Sequence, residues 1–229
     1  MHQFPPRRRI YLLRHGAVSY IEQGRAVPPA QVELNADGRA QAAAAAQALA
    51  GVPFDRAVTS GLPRTLQTAE IVLAGRDLPI EIVPELHEIR GGKIMHLSRH
   101  ELHSTFVEAL VGPLAPADTF LLGESFGEFR DRVLPAFHAL LADLSWRTML
   151  LVLHGAVNRV IMASALGAEL DALGHIEQDA GCINVLDFND AGYGVIRLFN
   201  YTPYNPLKHG MQLTTMEQYF LEFPQATEE

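Results

Sequence analysis

A single cysteine, Cys182, stands in 229 residues, so no internal disulfide can form. Stability has to come from a packed core, and the reducing cytoplasm is the expected compartment. Long hydrophobic runs are missing too: none approaches the roughly 20 residues that cross a bilayer. Near the N-terminus, Arg7, Arg8 and Arg9 precede a short apolar run at 10–13, which leads at once to Arg14 and His15. That run is too short for a secretory signal, and no small-residue cleavage site follows it. No membrane partner is expected. Excess positive charge is also lacking. Eighteen Lys and Arg face 26 Asp and Glu, a net charge of −8, which argues against a general nucleic-acid binder. An anionic small-molecule substrate stays open, because a few arginines focused in a cleft can dominate the local potential.

The chain is 48% hydrophobic and 19% charged, the balance of a globular domain. It carries no internal repeat, and its one biased stretch is the alanine run at 42–46. Residues 10–13, 56–59, 80–83 and 149–153 are short apolar stretches that end at polar positions and read as buried strands. Helices are expected over 35–50, where Asn35 is a candidate N-cap, and from Pro63 to about Leu73. Two more are expected over 124–144, where Pro135 should kink or break the helix, and over 155–166. Residues 183–188 and 194–199 form a predicted hairpin through Asn189-Asp190-Ala191-Gly192. Alternating strands and helices predict an α/β three-layer sandwich with a mostly parallel central sheet and helices on both faces. The whole chain reads as a single domain, with a small cap at about 91–123 and a C-terminal arm over 200–229. That arm could serve as a lid, a dimer contact or a docked segment. Oligomeric state is left between monomer and homodimer.

Chemistry concentrates where strands end. Ligand sites of open α/β sheets lie at the carboxyl ends of the strands. Two predicted strands, far apart in sequence, end in histidine: Leu13-Arg14-His15-Gly16 and Leu153-His154-Gly155. A neutral imidazole with one nitrogen held by a hydrogen bond is a competent nucleophile toward phosphorus. An adjacent arginine supplies a bidentate clamp, and glycine lets backbone come close to an anion. The plain alternative is a histidine that merely ends a strand.

Four segments together point further. They are Leu13-Arg14-His15-Gly16, Leu34-Asn35-Ala36-Asp37-Gly38-Arg39-Ala40-Gln41, Thr59-Ser60-Gly61-Leu62-Pro63-Arg64-Thr65-Leu66-Gln67-Thr68-Ala69, and Leu153-His154-Gly155. In this order they resemble the histidine phosphatase superfamily, in its phosphoglycerate mutase-like branch, over roughly residues 9–200. The resemblance implies a metal-independent enzyme without cofactor, acting on a small phosphorylated metabolite. It makes His15 the phosphoryl acceptor, with Arg14 and Arg64 as phosphate clamps. His154, beside Gly155, becomes the second pocket histidine, donating to phosphate. The general acid should follow the third strand, where Glu88 fits the family's Leu-x-Glu pattern and Glu85 competes with it.

Departures from the pattern bear on substrate. Family members often follow the first motif with Glu-Thr and a Trp-Asn pair whose Asn contacts phosphate. Here Ala17 to Arg25 carries no Asn, and Ser19, Gln23 or Arg25 is the offered replacement. A tryptophan often found after the acid is absent as well. Gly123-Glu124-Ser125 resembles a family segment near the pocket, so Ser125 either touches substrate or simply caps a helix. His96, His100 and His103 share one face if helical; a polar cap face is the reading adopted over a metal site. Cys182 reads as core. A phosphatase is the leading function. A phosphoglycerate mutase-type transfer comes second, disfavoured by the short segment from Glu88 to His154. A non-catalytic phospho-ligand binder comes third.

Overall fold

The computed structural model describes residues 7–22, 25–92 and 99–222. Its elements run in chain order as β1 (Arg7–Arg14), β2 (Ile21–Glu22), β3 (Arg25–Ala26), α1 (Ala36–Ala48), β4 (Arg56–Thr59), α2 (Pro63–Val72), β5 (Ile80–Ile82), α3 (Arg99–Phe106), α4 (Phe126–Ala142), β6 (Thr148–Leu153), α5 (Gly155–Leu166), β7 (Ile183–Asn189), β8 (Gly194–Tyr201) and α6 (Thr215–Glu222). Six strands form one sheet in the order β5-β4-β6-β1-β7-β8. The first four are parallel; β7 and β8 are antiparallel and form the expected hairpin.

The pleat sorts side chains onto two faces. Leu13, Leu150 and Val152 pack with Ala45, Leu49, Ala69 and Val72 of α1 and α2. Ile10, Leu12, Met149, Leu151 and Leu153 pack with Phe129, Val133, Phe137, Val157 and Ile161 of α4 and α5. Both faces are covered, which is why β6 reads as an unbroken apolar run rather than an alternating one. Asn35 caps α1 by accepting from the Gly38 amide at 2.9 Å, and Pro63 opens α2. Ser125 and Glu128 form a reciprocal capping box on α4.

Three expectations need correction. Pro135 does not break α4, which runs through all 17 residues from Phe126 to Ala142. Pro135 lies on the exposed face with Asp131 and His138, so the carbonyl that loses its amide partner can be hydrated. The first strand begins at Arg7, earlier than its apolar run, because β1 pairs with β7 from Arg7 onward. The arm contains a helix, α6, which apolar periodicity did not reveal. The cap is partly helical as expected, holding α3 and a single 3₁₀ turn at Phe120–Leu122.

Arg8 occupies an inward position of β1 that would otherwise be apolar, and it is 1% exposed. Its guanidinium donates to the Leu141 and Asp143 carbonyls at 2.7 and 2.6 Å. It also stacks on Trp146 at 4.5 Å, whose indole donates to the Leu140 carbonyl. A strand residue therefore caps the C-terminus of α4, where orphan carbonyls and the negative dipole end favour a cation. Arg8→Met removes the donors while filling the space. It is expected to cost about 3 kcal/mol and to lower Tm by roughly 6–12 °C. Thermal and urea unfolding measure this, and a loss under about 1 kcal/mol would mean that water satisfies those carbonyls equally well.

Candidate active site

Three neighbouring parallel strands end at one level. Arg14 is registered with Leu153, Thr59 is registered with Val152, and the His15 amide donates to the Leu153 carbonyl at 3.0 Å. His15 after β1, His154 after β6 and Ser60 after β4 therefore meet at the carboxyl edge of the sheet. The two imidazoles lie edge to face with centroids 5.3 Å apart, and both are buried.

His15 Nδ1 lies 2.8 Å from the Gly16 carbonyl, which can only accept. The ring proton belongs on Nδ1, and Nε2 keeps its lone pair. Arg64 Nε donates to that Nε2 at 3.3 Å, while its Nη1 donates to the Pro29 carbonyl at 2.8 Å. Burial first, then the Arg64 and Arg14 cations, hold the His15 imidazole well below the usual histidine range, so it is neutral at pH 7.

His154 Nε2 lies 2.7 Å from the Ser60 hydroxyl, which lies 3.1 Å from Thr65 Oγ1. Thr65 in turn donates to the Leu62 carbonyl at 2.8 Å. Followed back from that carbonyl, the chain has Ser60 donating to Thr65 and His154 Nε2–H donating to Ser60. Nδ1 is left buried with no partner among the described residues. Burial, Arg64, His15, His87 and Arg14 lower this imidazole far below its ordinary value as well.

Glu88 follows the turn after β5. One carboxylate oxygen accepts from its neighbour Ile89 at 3.0 Å, and the other accepts from the Ala156 amide at the start of α5, at 3.3 Å. It lies beside Gly155, whose ideal Cβ would stand 3.5 Å from Arg14 Nε and 3.8 Å from Glu88 Oε2. Glu85 is exposed and contributes its carbonyl to Arg132 instead. Arg132 also donates to the His87 carbonyl and pairs with Glu124 at 2.9 Å, while Glu124 accepts from the Arg90 amide. The Gly123-Glu124-Ser125 segment therefore braces the turn that carries Glu88. The Ser125 hydroxyl itself is engaged with Glu128 as donor and acceptor.

Ser19 accepts weakly from Asn35 at 3.4 Å, beside the first loop. Gln23 and the side chain of Arg25 lie outside the described residues, and so does His96. His103 packs on Phe220, and no cluster of three or more metal-ligating side chains occurs among the described residues. Burial pushes the Cys182 thiol up to about 12, as befits a core residue.

The glycines explain the second segment. A Cβ on Gly16 would stand 2.3 Å from the Gly38 carbonyl oxygen, and a Cβ on Gly38 would stand 2.0 Å from that of Ala17. Gly16 is thus required for the close approach of α1. Gln41 accepts from the Ala17 amide at 2.8 Å, and Gln67 accepts from the Leu34 amide at 2.9 Å. Sequence reasoning noted these glutamines only as motif letters; they pin the loop that presents His15. It missed Ser60, the partner of His154, and it missed three groups on Arg14. Arg14, 3% exposed, meets the Gln178 carbonyl, Thr215 at 3.1 Å and Tyr219 at 2.6 Å.

Comparison with known proteins places the chain among relatives. Over 199 residues it is 30% identical to the adenosylcobalamin/α-ribazole phosphatase of Escherichia coli K12, covering 84% of this chain and 95% of that protein. It is 30% identical over 176 residues to the glucosyl-3-phosphoglycerate phosphatase of Mycolicibacterium vanbaalenii, covering 72% and 76%. The crystal structure of the α-ribazole phosphatase from Shigella flexneri superposes with a TM-score of 0.71 at 27% identity, over 85% of this chain and 96% of that one. Residues 10–202 match the model of the histidine phosphatase superfamily, branch 1. A match spanning most of the chain decides kinship: this chain belongs to the histidine phosphatase superfamily, branch 1.

Proposed function

We propose that the chain is a phosphatase that hydrolyses a small phosphomonoester through a phosphohistidine formed on His15. The observation that carries this reading is the His15 ring. Its Nδ1–H is fixed on the Gly16 carbonyl, so a neutral Nε2 faces a pocket walled by Arg14, Arg64 and His154. The ester phosphate enters between Arg64 and His15, and its non-bridging oxygens take the free donors of the two arginines. The Nε2 lone pair forms the N–P bond as the P–O ester bond breaks, and Glu88 gives its proton to the departing oxygen. In the second half, Glu88 takes a proton from water. That oxygen bonds to phosphorus, the N–P bond breaks, and orthophosphate leaves with the acid restored. His154 stabilises the charge that builds on phosphorus in both halves. Since α-ribazole phosphatases and a glucosyl-3-phosphoglycerate phosphatase are relatives, sugar-linked phosphomonoesters are the substrate class to test first. We place the protein in the cytoplasm, where the buried Cys182 thiol stays reduced.

His15→Ala is expected to abolish turnover with an unchanged far-UV circular dichroism spectrum. Brief incubation with labelled substrate should leave an acid-labile, base-stable phosphoprotein in the wild type only. Full activity in the variant would sink the mechanism.

Replacing Glu88 by Gln is expected to slow alkyl phosphate hydrolysis by on the order of 10²–10⁴. The cost should shrink for p-nitrophenyl phosphate, whose leaving group needs little protonation, and Glu85→Gln should do much less with either. The ratio of the two substrates' kcat/KM in each variant is the measurement. If the leaving-group-dependent loss falls on Glu85 instead, the acid has been misassigned.

The depressed His154 pKa makes a pH prediction. In the empty site Nδ1 is unprotonated at neutral pH, whereas a bound phosphate oxygen requires a proton there. Binding should therefore take up a proton, and orthophosphate affinity should rise as pH falls from 8 toward 6. Calorimetry in buffers of different ionisation enthalpy counts that proton. His154→Gln should lose the uptake, and if the variant retains it, the proton resides elsewhere.

A further inference from the structure

The family match ends at residue 202, yet α6, which begins at Thr215, reaches the pocket. Thr214 and Glu217 form a reciprocal capping box that fixes where the helix starts: Glu217 accepts from the Thr214 amide at 2.7 Å, and Thr214 Oγ1 accepts from the Glu217 amide at 3.3 Å. Thr215 and Tyr219 are then one turn apart and share a face. That face lies on Arg14. Nη1 donates to Thr215 Oγ1 at 3.1 Å, and Nη2 donates to the Tyr219 hydroxyl at 2.6 Å. The Thr215 hydroxyl proton goes to Glu177 at 3.0 Å, and Glu177 is paired with Arg159 at 2.9 Å, so the threonine oxygen is held as an acceptor for Arg14. The Tyr219 ring also meets Tyr20 edge to face at 5.1 Å.

A guanidinium has two forks of parallel N–H groups, one across Nη1 and Nη2 and one across Nε and Nη2. Helix α6, with the Gln178 carbonyl on Nη1, holds the first. In the second, Nη2 keeps a second hydrogen and Nε is unpartnered: Arg14 Nε is buried, has no hydrogen-bond partner among the described residues, and lies against Gly155. Bidentate recognition of phosphate needs one whole fork in a fixed plane. We infer that Thr215 and Tyr219 are positioning residues of the active site, which hold the outer edge of Arg14 so that its Nε–Nη2 fork is set for the phosphoryl group. The arm is then a working part of the phosphate site rather than a plug over it, because it occupies the edge that phosphate does not use. This inference rests on the phosphatase reading for its meaning, but not for its test.

The test uses the full chain and orthophosphate as probe, with affinity read by calorimetry at one pH and no turnover required. Tyr219→Phe keeps the ring and loses the hydroxyl; Thr215→Val keeps the shape and loses the acceptor; Thr215→Ser restores it. Each of the first two should weaken orthophosphate binding by about 3–10-fold, less than a full charge-assisted hydrogen bond, because the lost contact positions Arg14 without touching phosphate. Thr215→Ser should match the wild type, and Tm should stay within about 2 °C, less than 1 kcal/mol for a chain this size. In the p-nitrophenyl phosphate assay the change should fall on KM more than on kcat. Should Thr215→Val unfold, Tyr219→Phe alone decides. Unchanged affinity in that variant overturns the inference. Tighter binding overturns it too, since it would mean that α6 competes with phosphate for Arg14. Failure of the phosphatase reading would show separately, as a wild type that binds orthophosphate but releases none from esters, or as an active His15→Ala.

Discussion

Everything at this site hangs on the parallel register of β4, β6 and β1. Because Thr59 stands opposite Val152 and Leu153 opposite Arg14, three strands drawn from residues 56–59, 148–153 and 7–14 end within one residue of the same height. The residue after each strand then enters the same small volume. That register is fixed by the pleat, since a slip of one residue would turn Leu150 and Val152 from the α1 and α2 side to the α4 and α5 side. Two apolar cores therefore hold His15, His154 and Ser60 within reach of one another. No hydrogen bond between the functional groups has to do so.

Into that volume the fold puts two arginines and two histidines, with the Glu88 carboxylate beside Gly155. Carbonyls of Pro29 and Gln178 accept from Arg64 and Arg14, and the imidazoles are driven to their neutral forms. A chain with net charge −8 thus holds a locally cationic pocket. Burying charge without its partner is unfavourable, and an arriving dianion offsets that cost. The same desolvation that makes the empty site costly makes each charge-assisted contact stronger when filled. Neutral His15 is a consequence of the arrangement, and neutrality suits the nucleophilic role proposed for it.

Around this centre the supporting contacts are mostly backbone to backbone or amide to side chain. Gly16 and Gly38 permit α1 to press on the first loop, and Gln41 and Gln67 tie it down. Arg132 and Glu124 brace the turn that carries Glu88 from the far side. Helix α6 adds a third brace, from a part of the chain that the family model does not reach, and packs on the cap through Phe220 and His103. Loops that carry function are kept in place by rigid elements on every side, at the cost of sequence letters with no chemistry of their own.

The sequence by itself determined the strand ends and most helices. Apolar runs bounded by polar or glycine positions are local signals, as are Asn35 and Pro63 at helix starts. It also determined the pairing of Arg14 with His15, and of Arg64 with the third segment, because each lies within one short motif. Its failures share one physical cause, which is long range. Arg8 stands in an arginine run before the apolar stretch, and its burial comes from α4, whose carbonyls reach it across more than 130 residues. Pro135 is expected from sequence to kink or break its helix, yet α4 runs through it with Pro135 on the exposed face. Ser60 meets His154 across 94 residues, and Thr215 and Tyr219 meet Arg14 across more than 200. Helix α6 went unread because it is short, and its partner Arg14 lies in the first strand. Local propensity and motif spacing fix what each segment is; which segments share a pocket is decided by strand register and packing, which no local stretch of sequence contains.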